Sequence, residues 1–108
     1  MSSQRELLKG SLDLMLLALL SREAMYGYQI VREVHARSAA ALSLREGSLY
    51  PALHRLEQAG LIEGYWQPRS DGADRRYYRI CGAGRAALAE REAEWRRFVA
   101  AVDGVLGA

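Results

Sequence analysis

The hydrophobic pattern along the chain changes character at Gly27, Gly60 and Gly84. Before Gly27, the stretch Ser11-Leu12-Asp13-Leu14-Met15-Leu16-Leu17-Ala18-Leu19-Leu20 predicts a first helix. Ser11 serves as its N-cap, Asp13 suits the positive first turn, and Leu7 and Leu8 add a turn or more upstream. After Leu12 the pattern is apolar on every side, which in a short helix means burial on more than one face. A chain of 108 residues has little material to surround such a helix, so Leu16 is expected to meet a partner copy. Tyr26, Ile30 and Val34 then stand four apart, opposite Gln29, Arg32, Glu33 and Arg37, which predicts an amphipathic second helix.

A third helix is predicted over roughly 46–59. Leu49, Ala52 or Leu53, and Leu56 face inward, and Gly60 supplies the stop. Ser48, Tyr50, Pro51, His54, Arg55 and Gln58 point elsewhere. Two starts fit. Ser43 with Glu46 makes a capping box but leaves Pro51 past the first turn, where proline is costly; a start at Ser48 accommodates Pro51 in a shorter helix. Leu61–Gln67 and Arg75–Ile80 read as two strands rich in aromatics, joined by the polar turn 68–74 with its Asp-Gly pair. Tyr78 and Ile80 alternate with Tyr77 and Arg79, so one face packs and the other stays wet. From about Gly84 a long last helix begins. Leu88, Trp95 and Val102 are seven apart, with Phe98 or Val99 and Val105 or Leu106 filling the seam. A helix of ~20 residues is ~30 Å long. Its stripe of Leu88, Trp95, Phe98, Val99 and Val102 therefore needs another surface, most economically the same stripe on a second subunit.

Length bounds the chain to one small domain. The formal net charge of +2 is too small to indicate a partner, but fourteen of the fifteen basic residues are arginine, the side chain suited to planar contacts with phosphates, guanine edges and carboxylates. Between residues 69 and 79, Arg69, Arg75, Arg76 and Arg79 stand against Asp71 and Asp74, a local surplus of two positive charges. The lone Cys81 has no disulfide partner and no companions for a zinc site. The longest apolar run, Leu14 to Leu20, is far short of the ~20 residues of a membrane span. No signal-peptide order marks the N-terminus. A soluble protein of the reducing cytoplasm, without membrane association, metal or cofactor, is expected. No nucleophile–base pair or Gly-rich phosphate loop suggests an enzyme.

Three helices followed by a hairpin is the order of a winged helix-turn-helix. The expected fold is mainly α with a β-hairpin wing, residues 1–81 forming the DNA-binding unit and 82–108 a long C-terminal dimerisation helix. Ser48, Tyr50, His54 and Arg55 are then the candidate DNA contacts of the third helix, and Arg69, Arg75, Arg76 and Tyr77 those of the wing. Tyr28 can reach a phosphate or simply begin the second helix. For Arg75 and Arg76, surface pairing with Asp71, Asp74 or Glu63 is the competing reading.

The motifs Leu8-Lys9-Gly10-Ser11-Leu12-Asp13, Tyr26-Gly27-Tyr28-Gln29-Ile30 and Gly47-Ser48-Leu49-Tyr50-Pro51-Ala52-Leu53-His54-Arg55-Leu56-Glu57 resemble the PadR family of bacterial transcriptional regulators. Gly60-Leu61-Ile62, Trp66 and Arg75-Arg76-Tyr77-Tyr78-Arg79 extend the resemblance over nearly the whole chain. It implies a dimeric winged-helix repressor of double-stranded DNA whose last helix crosses to the partner's first, of the compact subgroup with one C-terminal helix. It also implies a possible role for Trp95 in stacking a small hydrophobic effector between subunits, against plain interface packing. Where many members have Leu-Thr before the last helix, this chain has Ile80-Cys81, which loses a capping hydroxyl. Cys81 reads as a small apolar residue near a strand end, against a thiol-redox role for which the chain holds no resolving thiol. The rival reading is a dimerising protein-interaction adaptor that recognises no operator.

Overall fold

The computed structural model describes residues 3–107, with side chains from Ser11 onward. The order is α1 (Ser3–Leu20), β1 (Met25–Tyr26), α2 (Gly27–Arg37), α3 (Glu46–Gln58), β2 (Ile62–Gln67), β3 (Arg75–Ile80) and α4 (Gly82–Leu106). This is the winged-helix arrangement the sequence suggests, mainly α with a small antiparallel sheet ordered β1-β3-β2. The side chains of the Leu8-Lys9-Gly10 part of the first motif lie outside the described residues.

α1 is the centre of the core and packs against α2, α3, α4 and β3. Ser11 lies inside the helix rather than capping it. Leu12, Leu16, Leu17, Leu19 and Leu20 are all buried within one chain. The expectation that Leu16 faces a partner is therefore corrected: it is 0% exposed and belongs to the protomer's own core. Four neighbouring elements surround α1 more fully than chain length suggested. Ile30 and Val34 of α2, Leu49, Ala52, Leu53 and Leu56 of α3, and Ile62 and Tyr78 of the hairpin complete the core.

α3 starts at Glu46 with Arg45 as N-cap, and no side chain caps it, so neither Ser43 nor Ser48 does so. Pro51 sits in the second turn. The helical bond it cannot donate would have gone to Gly47, an exposed residue whose carbonyl water can reach, so the proline is tolerated. Gly60 ends the helix as predicted, at φ +76. Its amide donates to Glu57 O and that of Leu61 to Leu56 O, both at 3.0 Å, the paired bonds of a Schellman stop. The α2–α3 turn passes through two left-handed alanines, Ala39 and Ala40. Ser38 Oγ steadies that turn by accepting from Leu42 N at 3.0 Å and donating to His35 O at 3.2 Å.

The hairpin register pairs Ile62 with Ile80 through to Gln67 with Arg75. β1, absent from the sequence reading, pairs Met25 with Tyr78 and Tyr26 with Tyr77. Tyr26 is thus a strand residue rather than part of the α2 face.

α4 begins at Gly82, N-capped by Cys81 without a side-chain bond. The Cys81 amide instead donates to Leu61 O at 2.9 Å, which ties the helix start to the end of α3. Ala87 and Leu88 pack against the core. Leu88 is half-buried there, so its own protomer already covers part of the side chain expected in the inter-subunit seam. From Glu92 onward every described residue is exposed, so about 22 Å of helix stands clear of the body. That projection stretches the molecule to 55 × 31 × 20 Å.

Candidate nucleic-acid interface

α3 buries one stripe and leaves Ser48, Tyr50, Pro51, His54 and Arg55 exposed on the other. Tyr50 does more than face outward. Its hydroxyl lies so close over Gly27 that a Cβ there would collide with it, and its Cζ would be 2.9 Å away. The close approach of α3 thus uses the absence of a side chain where α2 starts; a Cβ there would push the Tyr50 ring aside. Burial, reinforced by the nearby Glu46 and Tyr78, raises the Tyr50 pKa and keeps the phenol a neutral donor. The contact brings the start of α2, with exposed Tyr28, beside the exposed face of α3.

Strand alternation decides what each wing arginine can do. Tyr26, Tyr65 and Tyr77 form a row across the outer face of the sheet. Tyr77 sits at its centre, 5.4 Å edge-on from Tyr26 and 5.9 Å stacked on Tyr65. Arg75 covers Tyr26 at 4.2 Å and Arg79 covers Tyr65 at 4.7 Å, both within cation–π range. Tyr77 is thus a packing residue of the sheet as much as a candidate contact.

Arg76 lies on the opposite face, with Trp66 and Tyr78. There it binds Glu57 of α3 at 3.2 Å, and the same carboxylate oxygen accepts the Gly64 amide at 3.2 Å. Arg76 is therefore a clamp between the hairpin and α3 rather than a free cation. Its partner is none of the three carboxylates considered from sequence. The signal was available, because Arg76 shares the alternation phase of Tyr78 and Ile80.

Two further wing arginines are paired. Arg69 lies 3.4 Å from Asp71 and folds over Gly72 at the tip, and Arg79 donates to Glu63 at 2.6 Å. The local surplus read between 69 and 79 is thus offset by Glu57 and Glu63, which lie outside that window. Among the described residues, Arg75 is the wing arginine with no carboxylate partner. Arg45 at the α3 N-cap and Arg32, 5.3 Å over the Tyr28 ring, are likewise without one among the described residues. Sequence reasoning missed both. Arg45 becomes conspicuous once the α3 start is fixed, and Arg32 was read only as part of a solvated helix face.

Tyr28, Arg32 and Tyr50 thus meet where β1 passes into α2, while Arg75 covers Tyr26 on the outer face of the sheet and flanks the same junction from that side. His54 continues the exposed face of α3 one turn beyond Tyr50, and Ser48 lies near its start. Arg55 is drawn aside by Asp13 of α1, and Arg69 stays at the wing tip. Among the described residues, no group of histidine, cysteine or carboxylate side chains could hold a metal ion, and no helix is long and apolar enough to cross a membrane.

The fold and sequence have close counterparts. Residues 16–90 match the transcriptional regulator PadR-like family. A curated relative, the transcriptional regulator Rv3488 of Mycobacterium tuberculosis, is 37% identical over 86 residues, covering 80% of this chain and 77% of that protein. The solved structure of a transcriptional regulator from Clostridium thermocellum superimposes with a TM-score of 0.85 at 27% identity, covering 92% and 96% of the two chains. A PadR family transcriptional regulator from Eggerthella lenta gives a TM-score of 0.82 at 33% identity, over 94% and 86%. With 75 of its 108 residues inside that match and the winged-helix geometry in place, the chain belongs to the PadR-like family of transcriptional regulators.

Proposed function

We propose that the protein is a cytoplasmic, homodimeric repressor that binds a pseudo-palindromic operator in double-stranded DNA. The observation that carries this reading is the meeting of Tyr28, Arg32 and Tyr50 where α2 starts beside the exposed face of α3, with Arg75 over Tyr26 on the outer face of the adjoining sheet. Phenol donors and unpaired guanidinium groups there suit phosphate contacts on either side of a groove, while Ser48 and His54 offer hydrogen bonds to base edges. Two α3 helices of a dimer enter successive major grooves about 34 Å apart.

Residues 1–81 form the DNA-binding unit and 82–108 the dimerisation helix. Support for pairing comes from the projecting half of α4. Trp95, Phe98, Val99 and Val102 expose an apolar stripe there, with Trp95 and Phe98 6.2 Å apart. An open, mostly apolar groove runs between α1 and α2, lined by Met15, Ala18, Leu19, Val34 and Leu42 together with Arg22, Arg37 and Ser38, with a volume of about 220 Å³. A small hydrophobic effector stacked on Trp95 at the subunit boundary would shift the spacing of the two α3 helices and release DNA.

The wing separates this reading from a dimerising adaptor. Arg75→Ala is expected to weaken binding to all duplexes alike and to reduce the salt slope of log affinity by about 1. Arg76→Ala is expected instead to lower stability by about 1–2 kcal/mol, because Glu57 loses its cation and Trp66 its cover. Anisotropy titrations across salt concentrations and denaturant melts of the two variants read these effects. Wild-type protein that binds no duplex at any salt concentration would leave the adaptor reading in place.

A further inference from the structure

Asp13, within α1, carries an arginine on each carboxylate oxygen. Arg55 of α3 donates from Nη2 to Oδ1 at 3.1 Å, and Arg91 of α4 places Nη1 3.8 Å from Oδ2. The three side chains are a third or more exposed, 33% for Asp13, 39% for Arg91 and 59% for Arg55. Exposed pairs of this kind add little to stability. What the cluster does is geometric: a residue on the candidate DNA-facing helix and a residue on the projecting helix share one counter-charge.

The sharing is unequal. At 3.1 Å Arg55 is hydrogen-bonded, whereas at 3.8 Å Arg91 is attracted but lies beyond hydrogen-bond range. A carboxylate and a phosphate offer a guanidinium the same bidentate acceptor geometry, so whatever holds Arg55 to Asp13 opposes its transfer to DNA.

We propose that Asp13 is a positioning residue that withholds Arg55 from DNA, and that Arg91 competes for the same carboxylate, so that the placement of α4 sets how freely Arg55 reaches a phosphate. This rests on the reading of α3 as the DNA-facing helix. Moving α4 inward by about 1 Å brings Arg91 into hydrogen-bond range of Oδ2; Arg55 keeps Oδ1, but the carboxylate's charge is then divided between two guanidinium groups and its hold on Arg55 weakens. Moving it outward leaves the carboxylate to Arg55 alone. Any event at the projecting half of α4 thereby acquires a short electrostatic route to α3, through a single residue of the core helix.

The test is a set of mutant cycles on full-length protein, read by anisotropy with a labelled duplex of mixed sequence at fixed salt. Asp13→Asn is expected to tighten binding about three- to tenfold. That gain is expected to vanish in the Arg55→Gln background and to persist in Arg55→Lys, which keeps the charge. Arg91→Gln is expected to weaken binding about threefold in the wild type and to change nothing further once Asp13→Asn is present. Melting temperatures of the same variants confirm that each is folded. If Asp13→Asn and Arg91→Gln have the same effects in every background, as a simple change of net charge would, the proposal is overturned while DNA binding stands. Wild-type protein that binds no duplex overturns the functional reading and this proposal with it.

Discussion

Replacing Gly84 by alanine is expected to destabilise the protein by about 1–3 kcal/mol, the range for forcing a methyl group into a filled site. Gly84 is the one buried residue of α4. A Cβ there would run into the carbonyl oxygen of Leu61, with the carbonyl carbon at 3.0 Å and Ile80 Cγ1 at 2.7 Å. The obstacle is backbone that cannot swing away, and Leu61 O is already engaged by the Cys81 amide at 2.9 Å. Relief therefore requires α4 to lift as a unit, which also alters the angle at which its exposed half leaves the body. Gly82→Ala is the control. It lies two residues earlier in the same turn with nothing within 4 Å of its would-be Cβ, and alanine there is expected to be neutral or stabilising. Denaturant midpoints at one fixed protein concentration compare the two. Equal midpoints would mean that the contact between α4 and the α3–β2 junction is not close.

If the proposed homodimer pairs through α4, Trp95→Arg is expected to leave the protein monomeric. The side chain is 39% exposed in one chain, packs on Phe98, and begins a stripe that continues through Val99 and Val102 to Val105 and Leu106, which are 88% and 74% exposed. So much apolar surface on a helix clear of its own core marks a contact site. A charge at its start would be desolvated without a partner, a cost of about 3–5 kcal/mol and hence a loss of dimer affinity of at least a hundredfold. Sedimentation velocity over a concentration series reads the change. A variant that stays dimeric at the concentrations where wild-type protein is dimeric would place the interface elsewhere.

Periodicity carried most of the local structure. Ile30 and Val34, then Leu49, Leu53 and Leu56, mark the buried faces of α2 and α3, and both hairpin strands fall within one residue of their predicted bounds. Gly60 stops α3 because its backbone adopts positive φ. What periodicity could not show was short or non-local. A two-residue strand has no period, so β1 was invisible, and with it the junction where Tyr28 meets Tyr50 and which Arg75 flanks. The charge surplus of the wing looked free because its neutralising carboxylates, Glu57 and Glu63, are contributed by α3 and β2. Asp13 read as a residue suited to a helix start, yet its partners are 42 and 78 positions away in sequence. Leu16 reads as a partner contact in sequence because periodicity cannot tell which of several apolar stripes the same chain covers.

Selection of bound sequences from a random duplex pool, followed by hydroxyl-radical footprinting of the winner, tests the central claim most directly. A dimer with two α3 helices in successive major grooves predicts two inverted half-sites about 10–10.5 base pairs apart, each protected, with flanking protection from the wings. Protection is expected to weaken uniformly in Arg75→Ala and to split into unlinked half-sites in Trp95→Arg. A recovered pool with no shared sequence, or a single protected half-site for the wild-type protein, would contradict the account.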